Sequence, residues 1–179
     1  MKLYNSLILI AFAIFSISIT AEVNHSKVIS QDAALKLSDY GFFTNLSKQI
    51  PTNGVLPYDL NSALFSDYAD KLRFVYVPAG GFAEYHPDEV FDFPTGSVLI
   101  KTFAYLNDFP ESELDAQLLE TRLLIRNDDG WKNVSYIWNK EQTDAYKSIA
   151  GKTISTQFIN EYGDMQDIRY RVPNINQCK

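Results

Sequence analysis

The sequence predicts an α+β fold that is mainly antiparallel β-sheet with a short N-terminal helix. Three observations favour sheet over a helical bundle. Aromatic residues make up 14% of the chain, with 11 Tyr and 12 Phe, and such side chains are enriched in strands. Several segments alternate apolar and polar residues, which is the pattern of a half-buried strand. Pro, Gly and Asn cluster between these segments, as is typical of turns.

A β-hairpin in the second half of the chain is the clearest element. Residues 118–126 and 131–138 read as strands, and they flank Asn127-Asp128-Asp129-Gly130, a strong hairpin turn signal. An even-length turn groups the side chains of Thr121, Leu123, Ile125, Val134, Tyr136 and Trp138 on one face. The opposite face carries Glu120, Arg122, Arg126, Asn133 and Ser135. The first face is therefore predicted to be core and the second to be solvated.

Further elements are predicted on both sides of this hairpin. Additional strands are expected at residues 72–77, 97–105, 145–149, 153–159 and 168–172. The short helix is predicted at residues 31–38, because Ser30 can cap its start and Gly41 lies close to its end.

The N-terminus has the three-part layout of a secretory signal peptide. Lys2 supplies positive charge, residues 7–19 form an uncharged apolar run, and Thr20 and Ala21 are small residues suited to cleavage. The run is too short for a comfortable membrane span, and an uncleaved anchor is the competing interpretation. We predict a signal peptide at residues 1–21, a flexible leader at 22–30 and a single β-rich domain at 31–179, in a periplasmic or secreted protein.

The balance of charged residues limits the kinds of molecule that the protein is expected to bind. The net charge is −6, from 16 Lys and Arg against 22 Asp and Glu. An acidic surface argues against nucleic acid, because phosphate backbones are bound by basic surfaces. After signal cleavage the sequence predicts no membrane span.

No residue pattern predicts a catalytic centre or a metal site, so a non-catalytic role is favoured and enzymatic activity is left open. The histidines, His25 and His86, are too far apart to form a metal-binding motif. His25 lies in the leader and is predicted to be disordered.

Several strand residues have two interpretations each. Lys101, Glu120 and Arg122 lie mid-strand. They indicate an ion-pair ladder on the solvated face, with a polar pocket over the sheet as the alternative. Tyr76, Tyr136 and Trp138 are predicted to be aromatic core, with a ligand pocket as the alternative.

Cys178 is the one cysteine of the chain, and Lys179 follows it. From the residues alone it is a free thiol or an intermolecular crosslink. The motif Cys-x-x-Cys-His attaches haem c through two thioethers and a histidine ligand. This sequence offers only a first cysteine of that kind.

Several stretches, in order along nearly all of the mature chain, resemble a family of exported bacterial di-haem c-type cytochromes. They are residues 37–43, 57–61, 64–71, 91–103, 120–126, 130–131, 138–139, 142–145, 170–174 and 176–179. In that family the final Asn-Gln-Cys-Lys runs into a residue followed by Cys-His, and then into a cytochrome domain. The resemblance implies that Cys178 is the first haem-attachment cysteine, in a cofactor-binding role. It also implies that the complete family protein carries haem c and that this chain, cut off inside the motif, carries none.

Two functions follow as hypotheses. The resemblance implies an extracytoplasmic N-terminal module of a c-type cytochrome-like electron-transfer protein, which docks on a haem domain or a redox partner protein. The alternative is a secreted haemless β-module that binds a small ligand or a partner protein on its sheet.

Overall fold

Antiparallel β-sheet dominates the structure. The computed structural model describes residues 22–62, 65–66, 68–106, 116–160 and 162–177. The described residues form ten strands: β1 (Phe43–Asn45), β2 (Ile50–Pro51), β3 (Val55–Pro57), β4 (Asp70–Tyr76), β5 (Val98–Leu106), β6 (Ala116–Asn127), β7 (Gly130–Trp138), β8 (Ala145–Ser148), β9 (Lys152–Ile159) and β10 (Met165–Val172). A six-stranded sheet has the order β3-β4-β5-β6-β7-β8, and β1–β2 and β9–β10 form separate antiparallel pairs. The predicted predominance of antiparallel sheet is confirmed.

The predicted central hairpin is formed by β6 and β7. Asn127 pairs with Gly130, so Asp128 and Asp129 form a two-residue turn, and Thr121 is opposite Tyr136. This turn has the even length that the prediction required. Gly130, the residue after the turn, has a φ of 126°, which favours glycine.

The first face of the large sheet is covered by the N-terminal segment of the domain. Leu37, Tyr40 and Phe42 are buried there against the sheet. The hydroxyl groups of Tyr40 and Tyr136 are 2.9 Å apart, and Tyr136 also donates to the carbonyl oxygen of Ala34 at 2.9 Å. Tyr76, Tyr136 and Trp138 belong to this first core, as predicted.

The second face is partly covered by the hairpin β9–β10, so the expectation of a solvated face is wrong over part of its area. Tyr170 and Val172 of β10 pack with Phe103, Tyr105 and Leu119 in a second apolar cluster. A β-bulge between Phe103 and Ala104 shifts the register there. The sheet therefore lies between two covering layers and has only part of its second face open.

The helical part of the predicted α+β fold is not confirmed. In place of the helix predicted at 31–38, the described residues contain one four-residue helix, α1 (His25–Val28), and two 3-10 turns at Leu37–Tyr40 and Ile175–Gln177. The backbone before the first 3-10 turn instead forms hydrogen bonds with the edge strand β8 of the large sheet. Lys36 bridges to Tyr146, and the N–H of Lys147 donates to the carbonyl oxygen of Leu35 at 2.9 Å.

The leader at residues 22–30 is packed, in contrast to the flexible segment predicted there. The N–H of Asn24 donates to the carbonyl oxygen of Tyr40 at 2.8 Å, and Val28 is buried in the first core. Gly41 has a φ of 67°, and a Cβ atom there would lie 2.7 Å from the carbonyl oxygen of Glu22. A glycine therefore permits this close approach of the leader.

The predicted signal peptide at 1–21 and Cys178 lie outside the described residues. Within the ranges that are described, no helix has the length and apolar character needed to cross a bilayer.

Candidate functional site

A row of three cationic side chains crosses the open part of the second face. Arg73 on β4 is directly opposite Lys101 on β5, and Lys101 is directly opposite Arg122 on β6. Neighbouring strands are about 4.8 Å apart, so three positive charges share a span of about 10 Å. Like charges directly opposite each other destabilise a sheet. The row is therefore an arrangement that strand pairing by itself disfavours.

Arg122 is fixed at one end of the row by a buried carboxylate. Its Nε and Nη2 donate to the two carboxylate oxygens of Glu120 at 3.0 and 2.5 Å. The hydroxyl of Tyr170 also donates to Glu120 Oε1 at 2.6 Å. The guanidinium carbon of Arg122 lies 4.4 Å from the centroid of the Phe103 ring. Because Glu120 is fully buried and multiply bonded, it holds Arg122 in one orientation.

Tyr170 is held in its neutral, hydrogen-donating form. Burial raises the pKa of its phenol, and the negative charge of Glu120 raises that pKa further. The hydroxyl therefore remains a donor to Glu120 across the ordinary pH range. In this way the second covering layer, through β10, keeps the buried carboxylate in place.

Arg73, at the other end of the row, has a more exposed partner. Its Nη1 lies 3.0 Å from Asp59 Oδ1 and also donates to the carbonyl oxygen of Lys71 at 3.0 Å. The side chain of Arg73 is 8% exposed, whereas that of Asp59 is 87% exposed. Solvent surrounds this carboxylate, so the ion pair is weaker than the one at Glu120.

Lys101, in the middle of the row, has no carboxylate of its own in the described part of the chain. Its Nζ lies 5.3 Å from the centroid of the Phe103 ring, a cation–π contact. Burial lowers the pKa of its ammonium group, the positive charges of Arg122 and Arg73 lower it further, and Glu120 opposes the change. An anion close to Lys101 would relieve this excess of positive charge.

The row lies in a groove of about 390 Å³ with apolar walls. Its lining comprises Tyr58, Leu60, Arg73, Leu99, Lys101, Arg122, Leu124, Asn133 and Gln177. An adjoining hollow of about 290 Å³ shares Arg122 and Gln177 with the groove and is bounded by the end of β10. Apolar walls around a few converging charged groups are typical of small-ligand sites.

The structure brings Lys101, Glu120 and Arg122 together, as the sequence predicted. The favoured interpretation, an ion-pair ladder on a solvated face, is wrong for Glu120, because this side chain is fully buried. The groove corresponds to the alternative, a polar pocket over the sheet. Arg73 and Tyr170 were not predicted as residues of this site. The alternation of polar and apolar residues around Arg73 could have identified it as a residue of this face. No feature of the sequence near Tyr170 or Glu120 indicates that these two residues are in contact.

The two histidines are not part of the groove. His25 lies on the first core, where its Nδ1 is 3.2 Å from the hydroxyl of Tyr76. The prediction that His25 is disordered is therefore wrong. His86 is exposed in the loop between β4 and β5. Over the described ranges, no group of three or more His, Cys, Asp or Glu side chains could hold a metal ion.

Comparisons with protein families, with curated proteins and with solved structures gave no match.

Proposed function

We propose that this chain is an extracytoplasmic β-sheet module that binds a small anionic molecule in the cationic groove. The single observation that carries the proposal is Lys101, a half-buried cation between two arginines with no carboxylate partner among the described residues. A carboxylate ligand would supply the missing negative charge at the centre of the row.

The walls of the groove define the rest of the ligand. Leu99 and Leu124 face each other two residue pairs further along the strands from Lys101 and Arg122, and Tyr58 and Leu60 also line the groove. A ligand with a carboxylate and a compact apolar body fits this combination. The net charge of −6 repels anions from the protein as a whole, so anion binding would depend on the local cations of the row.

Calorimetric titration with matched ligands tests the proposal. Benzoate and its neutral amide, benzamide, have the same apolar body and differ in charge. We expect benzoate to bind and benzamide not to bind. We expect Lys101→Met to weaken benzoate binding at least tenfold, and Lys152→Met, a strand lysine outside the groove, to leave it unchanged. Equal binding of the two ligands, or an unaffected Lys101→Met variant, would contradict the proposal.

A second candidate is the N-terminal module of an exported c-type cytochrome-like electron-transfer protein. Gln177 lines the groove, and Cys178, the residue that the family resemblance assigns to haem attachment, is the next residue in the chain. In this proposal the module docks on a haem domain, and electrons pass without bond formation by the module itself.

The residues of this chain do not by themselves form a covalent haem c site. Such a site uses two cysteines and a histidine ligand, whereas the sequence has one cysteine. One of its two histidines, His25, is within hydrogen-bonding distance of the Tyr76 hydroxyl. We therefore assign no haem-dependent step to the chain.

The coding DNA beyond Lys179 separates the two candidates. Codons for one residue, then Cys and His, followed by further open reading frame, would support the cytochrome module and make Cys178 a haem attachment site. An in-frame stop codon directly after Lys179, with no frameshift nearby, would remove that candidate and leave the anion-binding module.

A further inference from the structure

A second surface of the molecule combines exposed aromatic side chains with acidic ones. It consists of the loop at residues 81–93, between β4 and β5, together with Trp131 at the start of β7; we call it the aromatic loop. Phe82 and Val90 are 77% and 89% exposed, and Tyr85, Phe91 and Trp131 are also exposed. Clusters of exposed apolar side chains on this scale mark interaction sites.

The aromatic loop has a defined shape. The ring centroids of Tyr85 and Phe91 are 5.8 Å apart, those of Phe91 and Phe93 are 6.5 Å apart, and those of Phe93 and Trp131 are 5.8 Å apart. Two backbone hydrogen bonds between Glu84 and Asp92, at 2.8 and 3.1 Å, close the loop. The continuous chain of rings connects the loop to the main sheet through Trp131.

The charges around these rings are almost all negative. Residues 81–93 include Glu84, Asp88, Glu89 and Asp92 and contain no lysine or arginine. The neighbouring turn adds Asp128, which accepts a hydrogen bond from the hydroxyl of Thr95 at 2.9 Å. Arg126 is a nearby cation, with its Nη2 3.9 Å from Asp92 Oδ1. The aromatic loop therefore has an acidic rim.

We infer that the aromatic loop is a docking surface for a protein whose contact patch is apolar and rimmed with lysine or arginine. Charge complementarity selects this occupant, because opposite potentials steer encounter and like charges across an interface disfavour it. A second copy of the chain would bring an identical acidic rim, and anionic membranes would be repelled in the same way. The exposed aromatic rings would provide the central anchors of the contact.

This inference is independent of the cationic groove. The groove uses Arg73, Lys101 and Arg122, whereas the aromatic loop has the opposite charge and shares no residue with it. A ligand in the groove and a basic partner on the loop could bind at the same time.

Binding kinetics with a basic probe protein test the inference. The probe is a lysine-rich cytochrome c, and its control is the same protein with acetylated lysines. At low ionic strength we expect the unmodified probe to bind and the acetylated probe not to bind. The double variant Asp88→Asn and Glu89→Gln should slow association about threefold to tenfold, because rim charges act on encounter. The matched double variant Glu141→Gln and Asp164→Asn, with the same charge change elsewhere, should leave association unchanged.

An aromatic variant separates docking from charge attraction alone. Phe91→Ser combined with Trp131→Ser should accelerate dissociation at least tenfold, and circular dichroism should show a retained fold. The inference is overturned if the unmodified probe does not bind, if the two charge variants behave alike, or if the aromatic variant dissociates at the normal rate. Dimerisation through the loop, measured by sedimentation, would also overturn it.

Discussion

Replacing Lys101 by methionine should stabilise the fold and at the same time remove the anion site. Lys101 is directly opposite both Arg73 and Arg122, and a like-charge pair in that position costs up to about 1 kcal/mol. Two such pairs cost up to about 2 kcal/mol, and the attraction of Glu120 offsets part of this. Methionine retains a favourable contact with Phe103. We expect a net gain of about 1 kcal/mol at pH 7, which raises the Tm of a domain of this size by about 2–4 °C.

The gain should depend on pH in a defined direction. Because the pKa of Lys101 is lowered in the folded protein, the unfolded chain binds more protons at this position. The stability contribution of the lysine therefore rises as pH increases from its lowered pKa towards the ordinary value of 10.5. The advantage of the methionine variant is complete below the lowered pKa and declines as pH approaches 10.5. Tyrosine ionisation acts on both proteins and cancels in their difference.

Urea denaturation of both proteins between pH 7 and pH 10.5 provides the measurement, with Lys152→Met as the control. Lys152 also lies on a strand, but its partner across the ladder is Val172. The control should show no stabilisation at any pH. A Lys101→Met variant that is less stable than the natural protein at pH 7, or a gain that persists unchanged at high pH, would refute the electrostatic account of the row.

Three further substitutions test the surrounding structure by urea denaturation. Glu120→Gln removes the buried partner of Arg122 and should cost about 3 kcal/mol; a loss below about 1 kcal/mol would indicate that the pair behaves as a surface ion pair. Thr121→Val removes the oxygen that accepts from Trp138 Nε1 at 3.0 Å and should cost about 1–3 kcal/mol, whereas Thr153→Val, at an exposed position of β9, should be near neutral. Gly41→Ala should cost about 1–3 kcal/mol and expose residues 22–30 to protease; unchanged protease resistance would contradict the packing of the leader.

Local signals were sufficient to predict seven of the ten strands in the described residues, β4 to β10, but not the short strands β1, β2 and β3. The β6–β7 hairpin follows from a turn sequence and from alternation within 21 residues, 118–138, so no distant contact was needed to predict its register. The helix prediction at 31–38 failed for the opposite reason. Capping signals were present, but hydrogen bonding of Leu35 and Lys36 to β8 determined the conformation, and that edge is over 100 residues away in sequence.

The environment of the groove could be predicted only in part. Alternation places Glu120 and Arg122 on the same face, which is a local property. The burial of Glu120 depends on Tyr170, 50 residues further along the chain, and no feature of β6 indicates that a hairpin covers this face. The contribution of Arg73 requires the register of β4 on β5, which becomes available only when the strands are paired.

The two ends of the cationic row differ in a way that bears on ligand binding. Asp59 is 87% exposed, and an exposed ion pair is worth about 0–1 kcal/mol, so a ligand carboxylate can displace it from Arg73 at small cost. Glu120 cannot be displaced in this way, because it is buried and is held by both Arg122 and Tyr170. Arg122 is therefore the fixed side of the groove and Arg73 the exchangeable side. A carboxylate that enters at Lys101 gains Arg73 as its second partner, while the Glu120–Arg122 pair remains in place.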